Sequence, residues 1–241
     1  LKSAYEIIIN NGTFTIDSCD DSIHSNGNVT ISGGNLTLTS GDDGIHADSA
    51  VTINNGTILI SKSYEGIEGN EITINDGNIS VTASDDGLNA AGGNDGSSIG
   101  GRPGQNSFSN SSSSFIRIAG GTLNIVSSGD GIDSNGSVYV EGGETYVNGP
   151  VNGADNAFDF DGTAEITGGI FVTAGGSSMA QTFSESSSQC SVLYNLDNTT
   201  DGKTEIKLID KDGNIIASYT PENAYQSIII STPSLVQGET Y

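Results

Sequence analysis

A phrase of about 22 residues returns in phase along most of this 241-residue chain, and it restricts the fold more than any single motif does. The segments Val29-Thr30-Ile31, Val51-Thr52-Ile53, Ile72-Thr73-Ile74, Ile116-Arg117-Ile118 and Val138-Tyr139-Val140 begin 22, 21, 44 and 22 residues apart. The step of 44 is either two periods or one period with an insertion. Two further sets keep the same phase. One is Phe14, Leu36, Ile58, Ile79, Leu123, Thr145 and Ile170; the other is Ile23, Ile45, Ile67, Leu88, Ile132 and Phe158. Each unit reads as strand, Gly-Gly or Asn-Gly turn, strand, acidic turn and short strand.

Within a unit, apolar residues alternate with Thr, Ser or Asn over three to five residues, so one face can be buried and the other wetted. Turns such as Ser32-Gly33-Gly34, Asn54-Asn55-Gly56, Asn75-Asp76-Gly77 and Ala119-Gly120-Gly121 supply residues that tolerate positive φ. A unit this short cannot enclose a core, but stacked units share one. The chain is therefore expected to be all-β: a parallel β-helix of about seven coils over residues 1–183, a rod of roughly 34 Å at ~4.8 Å per coil. The polar, Gly/Ser-rich stretch at about 90–114 reads as an insertion loop. Beyond it, Thr204 to Ile209, Asn214 to Tyr219 and Gln226 to Ser231 read as antiparallel strands, the first two joined at Lys211-Asp212-Gly213. Residues 184–241 are thus expected to form a β cap over the open strand edges of the last coil. Cys19 and Cys190 lie far apart in this array, which favours two separate thiols over a bridge.

With 34% hydrophobic residues, 34 Gly and no Trp, the composition approaches that of disordered chains, and only the order along the sequence argues for a core. Thirty acidic residues against seven basic ones give a net charge of −23, which argues against nucleic acid and anionic membrane as partners. No apolar run approaches the roughly 18 residues of a membrane helix. Leu1-Lys2-Ser3 runs straight into a strand-like segment, so the chain reads as mature or trimmed.

Aligning the coils stacks the acids. One column is Asp21, Asp43, Glu65, Asp86, Asp130 and Asn156; a second, three residues later, is His24, His46, Glu68, Asn89, Asp133 and Asp159. A third is Asn26, Asp48, Asn70, Ala91, Asn135 and Asp161. Unit charges ~4.8 Å apart repel by about 0.9 kcal/mol in water and about 3.5 kcal/mol at an effective dielectric of ~20, so an ionised ladder opposes stacking. Protonation or a divalent cation would relieve it. Calcium, with six to eight oxygens at ~2.3–2.6 Å, suits the rung spacing better than Mg²⁺. A third account needs no ion, because an Asp before Gly can simply bond backbone amides at a corner. The doubled acids and the pairs Glu65/Glu68 and Asp130/Asp133 favour several calcium ions, with Asp42, Asp43, Glu65, Glu68, Asp85, Asp86, Asn89, Asp130, Asp133 and Asp159 as ligand candidates. The mostly oxygen donor set speaks against transition metals, although His24 and His46 would stack as an imidazole pair.

The runs Gly129-Asp130-Gly131-Ile132-Asp133-Ser134-Asn135-Gly136, Glu65-Gly66-Ile67-Glu68-Gly69 and Asp85-Asp86-Gly87-Leu88-Asn89-Ala90-Ala91 resemble the pectate-lyase-like superfamily of right-handed β-helices. More narrowly, about residues 5–180 look like the secreted bacterial carbohydrate-binding domains of that superfamily, of the type found in clostridial cellulose degraders. The resemblance implies an extracellular, secreted or cell-surface protein that binds calcium at acidic turns. It also implies affinity for cellulose and acidic plant polysaccharides such as polygalacturonate, without lyase chemistry. His24 and His46 depart from the family pattern in the first two coils.

An enzyme of the same fold is the alternative. A calcium-dependent lyase needs a basic side chain near the metal, and Arg117, Lys62 and Arg102 are the candidates among seven cations. Asp130-Gly131-Ile132-Asp133 is also similar to a polygalacturonase segment, but the Gly-His-Gly and Arg-Ile-Lys motifs of those enzymes are missing. For a binding module, Tyr64, Tyr139 and Arg117 are the candidate sugar contacts, with Phe14 and Phe158 assigned to the core. A plant cell-wall polysaccharide is the expected partner, and the chain is expected to be a monomer. A structural or adhesive rod stiffened by calcium is the third reading.

Overall fold

The computed structural model describes residues 1–90 and 113–241, which form strands and turns with no helix. They build a parallel β-solenoid of about seven turns, as the repeat predicts. One wall is a 12-stranded sheet made of two columns. The first contains Lys2–Ser3, Ile23–Ser25, Leu88–Ala90, Ile132–Ser134 and Asp159–Phe160; the second contains Glu6–Ile9, Asn28–Ile31, Phe115–Ile118, Ser137–Val140 and Ala164–Ile166. The long strands Ile45–Ile53 and Ile67–Ile74 run through both. The opposite wall stacks Thr13–Asp17, Asn35–Thr39, Thr57–Ser63, Asn78–Ala83, Thr122–Val126, Glu144–Asn148 and Ile170–Gly175.

The register resolves the irregular steps of the repeat. Leu88 pairs directly with Ile132, so the step of 44 is one turn carrying an insertion, not two periods. The insertion, expected at about 90–114, lies mostly outside the described residues, as do Ala91 and Arg102. Asp133 pairs with Asp159 and Thr145 with Phe171, a step of 26. Phe171 therefore fills the core position that the repeat assigns to Ile170, because extra residues after Asn148 shift the phase.

Inward residues of both walls meet as continuous aliphatic rows, for example Leu36, Ile58, Ile79 and Leu123, all nearly inaccessible. Burying each such side chain contributes about 1.5–3 kcal/mol. At the C-terminal end the rows give way to Phe158, Phe160, Phe171 and Phe183, with ring centroids 4.9–5.2 Å apart. Phe158 is core as expected, whereas Phe14 is only partly buried.

The last coil is covered in two ways. Around Phe183, the Ser184 and Gln189 amides bond the Ala164 and Ile166 carbonyls. On the other wall, Tyr225–Ser231 pairs antiparallel with Ile170–Gly175, and Ser191–Thr200 pairs antiparallel beyond it. The Ser191–Thr200 strand has no counterpart in the sequence reading. Ile206–Ile209 and Ile215–Tyr219 form the expected hairpin, with Gly213 at φ 86° in its turn. Cys19 and Cys190 are free thiols.

Candidate functional site: a buried acidic corner

Between the second wall and the first column of the other, the chain turns through its Asp-Gly-Ile phrase. Stacking is so tight here that a Cβ on Gly87 would sit 2.5 Å from the Gly131 carbonyl oxygen and 2.3 Å from Ile125 Cγ2. Gly87 does not have positive φ, so glycine is required by the coil above rather than by the turn. Positive φ belongs to the other corner, at Gly34, Gly56, Gly77 and Gly121, where the sequence placed it.

This close stacking fixes the corner carboxylates, which precede Gly44, Gly87 and Gly131 and, in the first coil, Ser22. Asp21, Asp43, Asp86 and Asp130 each use one oxygen as a rung to the next coil. Asp21 Oδ1 accepts from the Asp43 amide at 3.0 Å, Asp43 Oδ1 from Glu65 at 3.3 Å and Asp86 Oδ1 from Asp130 at 2.6 Å; Asp130 Oδ1 accepts from Asn156. In the first two coils the other oxygen meets an imidazole: Asp21 Oδ2 is 2.5 Å from His24 Nδ1, and Asp43 Oδ2 is 3.0 Å from His46 Nδ1. Glu68 Oε2 still lies against His46 Nδ1, but further along no imidazole is available. Asp86 Oδ2, Asn89 Oδ1 and both carboxylate oxygens of Glu65 are buried without a hydrogen-bond partner. An unpaired buried polar atom costs on the order of 1–3 kcal/mol, more when charged.

The charges respond accordingly. Burial, then the neighbouring Asp133, Asp130 and Asp85, push Asp86 well above the ordinary carboxylate range. Burial, reinforced by Glu68, Asp43 and Asp86, does the same to Glu65, with Asn89 opposing. Burial carries Asp130 to about 8 against the opposing Asn156 amide, and burial with Asp159 carries Asp133 to about 7. Asp86, Asp130 and Asp133 each present an oxygen within 4.8 Å of the others. Such a triad of hard donors, one of them unpartnered and buried, fits a divalent cation that takes oxygen ligands.

The structure brings the expected ligands into a continuous corner but not into one site. Asp86, Asp130 and Asp133 meet, Asp159 follows in register with Asp133, and Asp85 lies near enough to act on Asp86 and Asp133. Glu68 meets Asp43 together with His46, while Asp42 groups with Asp20 and Asp21. The groupings along the corner also take in His46, His24, Asp20 and Asp21, which are not among the ligands expected from the sequence; of the four, Asp21, His24 and His46 stand in the aligned columns. The amide-bonding account of the corner aspartates holds for one oxygen of each and leaves the buried, unpartnered Oδ2 of Asp86 unexplained.

The expected sugar contacts do not form one platform. Arg117 and Tyr139 are register neighbours on the outer face of the first wall, whereas Tyr64 lies at the acidic corner. Burial, with a hydrogen bond to Asp85, raises the Tyr64 phenol pKa. Arg117 is taken up by Glu141 through a bidentate pair at 3.0 and 2.5 Å and donates to Asn75 Oδ1 at 3.1 Å. Surface hollows of about 740 and 810 Å³ lie at the C-terminal end, one beside Cys190 and Tyr241, the other between Tyr194, Leu196, Ile206 and Tyr225. Neither contains a residue of the acidic columns.

Compared with known proteins, the chain matches the family model described as carbohydrate-binding domain-containing protein, over residues 1–44 and 43–213. No curated protein and no solved structure matches it. The match spans the whole solenoid with its acidic corner and reaches into the antiparallel strands beyond it. By that match the chain belongs to the family of carbohydrate-binding domain-containing proteins.

Proposed function

We propose that this solenoid is a non-catalytic module that holds an acidic plant cell-wall polysaccharide, polygalacturonate or a similar polymer, through calcium bound at its acidic corner. Cellulose is the neutral polymer it would also bind, and the setting would be extracellular, secreted or attached to the cell surface. One observation carries the reading: Asp86, Asp130 and Asp133 converge with an Asp86 oxygen that is buried and unpartnered. Asp85, Asn89 and Asp159 would complete the oxygen set around that point. Calcium would neutralise the carboxylates and accept a uronate oxygen from the ligand, which turns a surface of net charge −23 into one able to hold a polyanion. Arg117, one of the three candidate bases of a lyase, is engaged by Glu141 on the outer face of the first wall, which supports binding over elimination by that residue.

Calorimetric titration with polygalacturonate, in calcium and then in excess chelator, tests the reading. Binding in calcium that disappears with chelator is expected. Equal binding in both buffers removes the calcium bridge, and no binding in either removes the polyuronate.

A further inference from the structure

The second coil carries a different donor set from the acidic triad. His46 is buried, and its Nδ1 faces two carboxylates at once, Asp43 Oδ2 at 3.0 Å and Glu68 Oε2 in closer contact. Glu68 is 1% exposed; its Oε2 meets the His46 ring as an ion pair outside hydrogen-bond geometry, and its Oε1 has no hydrogen-bond partner. One N–H cannot serve both carboxylates well, because a hydrogen bond weakens steeply off its axis. The other ring nitrogen is occupied: Nε2 lies 3.2 Å from Asp48 Oδ1, and Asp48 Oδ2 accepts from Asn26 at 3.2 Å. Once Nδ1 gives up its proton, this carboxylate–histidine arrangement keeps the remaining N–H on Nε2 and leaves the Nδ1 lone pair available for a metal. His24, stacked on His46 at 4.7 Å and 3° from parallel, blocks rotation of the ring.

We propose that Asp43, His46 and Glu68 bind a divalent transition ion of the zinc class, separate from the calcium of the acidic triad. The donors, one imidazole nitrogen and two carboxylate oxygens, suit zinc with a water in the fourth position, whereas hard calcium prefers oxygen alone. The 3.0 Å between Nδ1 and Oδ2 is close to the ~3.3 Å edge of a tetrahedron with bonds of about 2.05 Å. An ion entering here would widen the contact between His46 and Glu68. It would also pin one coil to the next, since Asp43 and His46 belong to one turn and Glu68 to its neighbour. Without metal, the position belongs to a proton. Burial opposes that proton, and the adjoining carboxylates of Asp43 and Glu68 hold it in place. A surface hollow of about 380 Å³ that includes Asp48 and Asn70 gives solvent access beside the site.

The whole chain, stripped of metal, is titrated with Zn²⁺ in millimolar calcium by calorimetry, with Co²⁺ as a spectroscopic probe. Expected are about one zinc per chain in calcium's presence and visible Co²⁺ bands of four- or five-coordinate strength. His46→Gln should abolish both. Asp48→Asn, a milder change nearer the surface, should weaken zinc roughly 10- to 100-fold while the calcium titration stays intact. Zinc uptake equal in His46→Gln, unchanged affinity in Asp48→Asn, or no uptake by the wild-type chain overturns the site. Loss of the calcium signal alone with zinc uptake intact would fault the calcium reading and leave this one standing.

Discussion

At the residue scale, the corner aspartate divides its two oxygens between two tasks. Asp86 Oδ1 bonds the Asp130 amide at 2.6 Å, so Asp86→Asn can retain that rung through its carbonyl oxygen and lose only charge. Because affinity at oxygen sites follows the number of charged ligands, calcium binding should weaken on the order of tenfold while the metal-free melting temperature rises. A calcium titration followed by thermal melts of both forms checks this, and a melting temperature that falls in chelator would contradict it. The same shifts predict a pH dependence. Asp130 and Asp133 hold protons up to about 8 and about 7 in the folded chain, whereas an unfolded Asp titrates near ~4. The folded state therefore binds more protons between those limits, and stability falls as pH rises through them. In chelator, the melting temperature should drop from pH 5 to pH 9; added calcium should flatten the slope. The acids themselves could be aligned from the sequence, but which oxygen is left over could not, since that depends on the amide of the coil above.

At the scale of the element, each turn of the solenoid is held by inward aliphatics and by the absence of a side chain at the corner. Gly87→Ala forces a methyl against the Gly131 carbonyl, where no neighbour can move without shifting a coil. A loss of about 1–3 kcal/mol in chemical denaturation is expected, the usual cost of overpacking. The strand phrases were plain in the sequence because alternation with a fixed period has few other solutions. Ile170 was misplaced by one residue because the last coil is longer, and a fixed period cannot anticipate an insertion of that kind. Ser191–Thr200 was missed for another reason: its apolar residues, Val192 and Tyr194 among them, are largely exposed, so the alternation that marks a core strand does not set it apart.

At the scale of the molecule, a net charge of −23 meets a core that runs the length of the rod. Exposed charges are screened within a Debye length of ~10 Å at ~0.1 M salt, but the buried corner is screened much less. Sodium chloride should therefore raise the metal-free melting temperature slightly, and calcium at equal ionic strength far more. Equal responses to the two salts would mean that the charge acts as a diffuse surface field and not at a site. On the outer face, Arg117→Ala should cost no more than about 1 kcal/mol, since both partners of its pair with Glu141 are reached by solvent. Whether that variant also weakens polygalacturonate binding decides if the Arg117–Tyr139 face takes part in recognition.

The repeat alone determined the all-β class, the stacked coils and the columns of acids, because a short in-phase unit can bury its apolar face only against copies of itself. Three things were settled only in three dimensions: that the 44-residue step is one turn, that Phe183 and the Ser191–Thr200 strand join the expected antiparallel cover of the last coil, and that the acidic corner divides between an imidazole-bearing and an all-oxygen part. Each depends on contacts between residues of different coils, whose distance is set by packing and not by spacing along the chain.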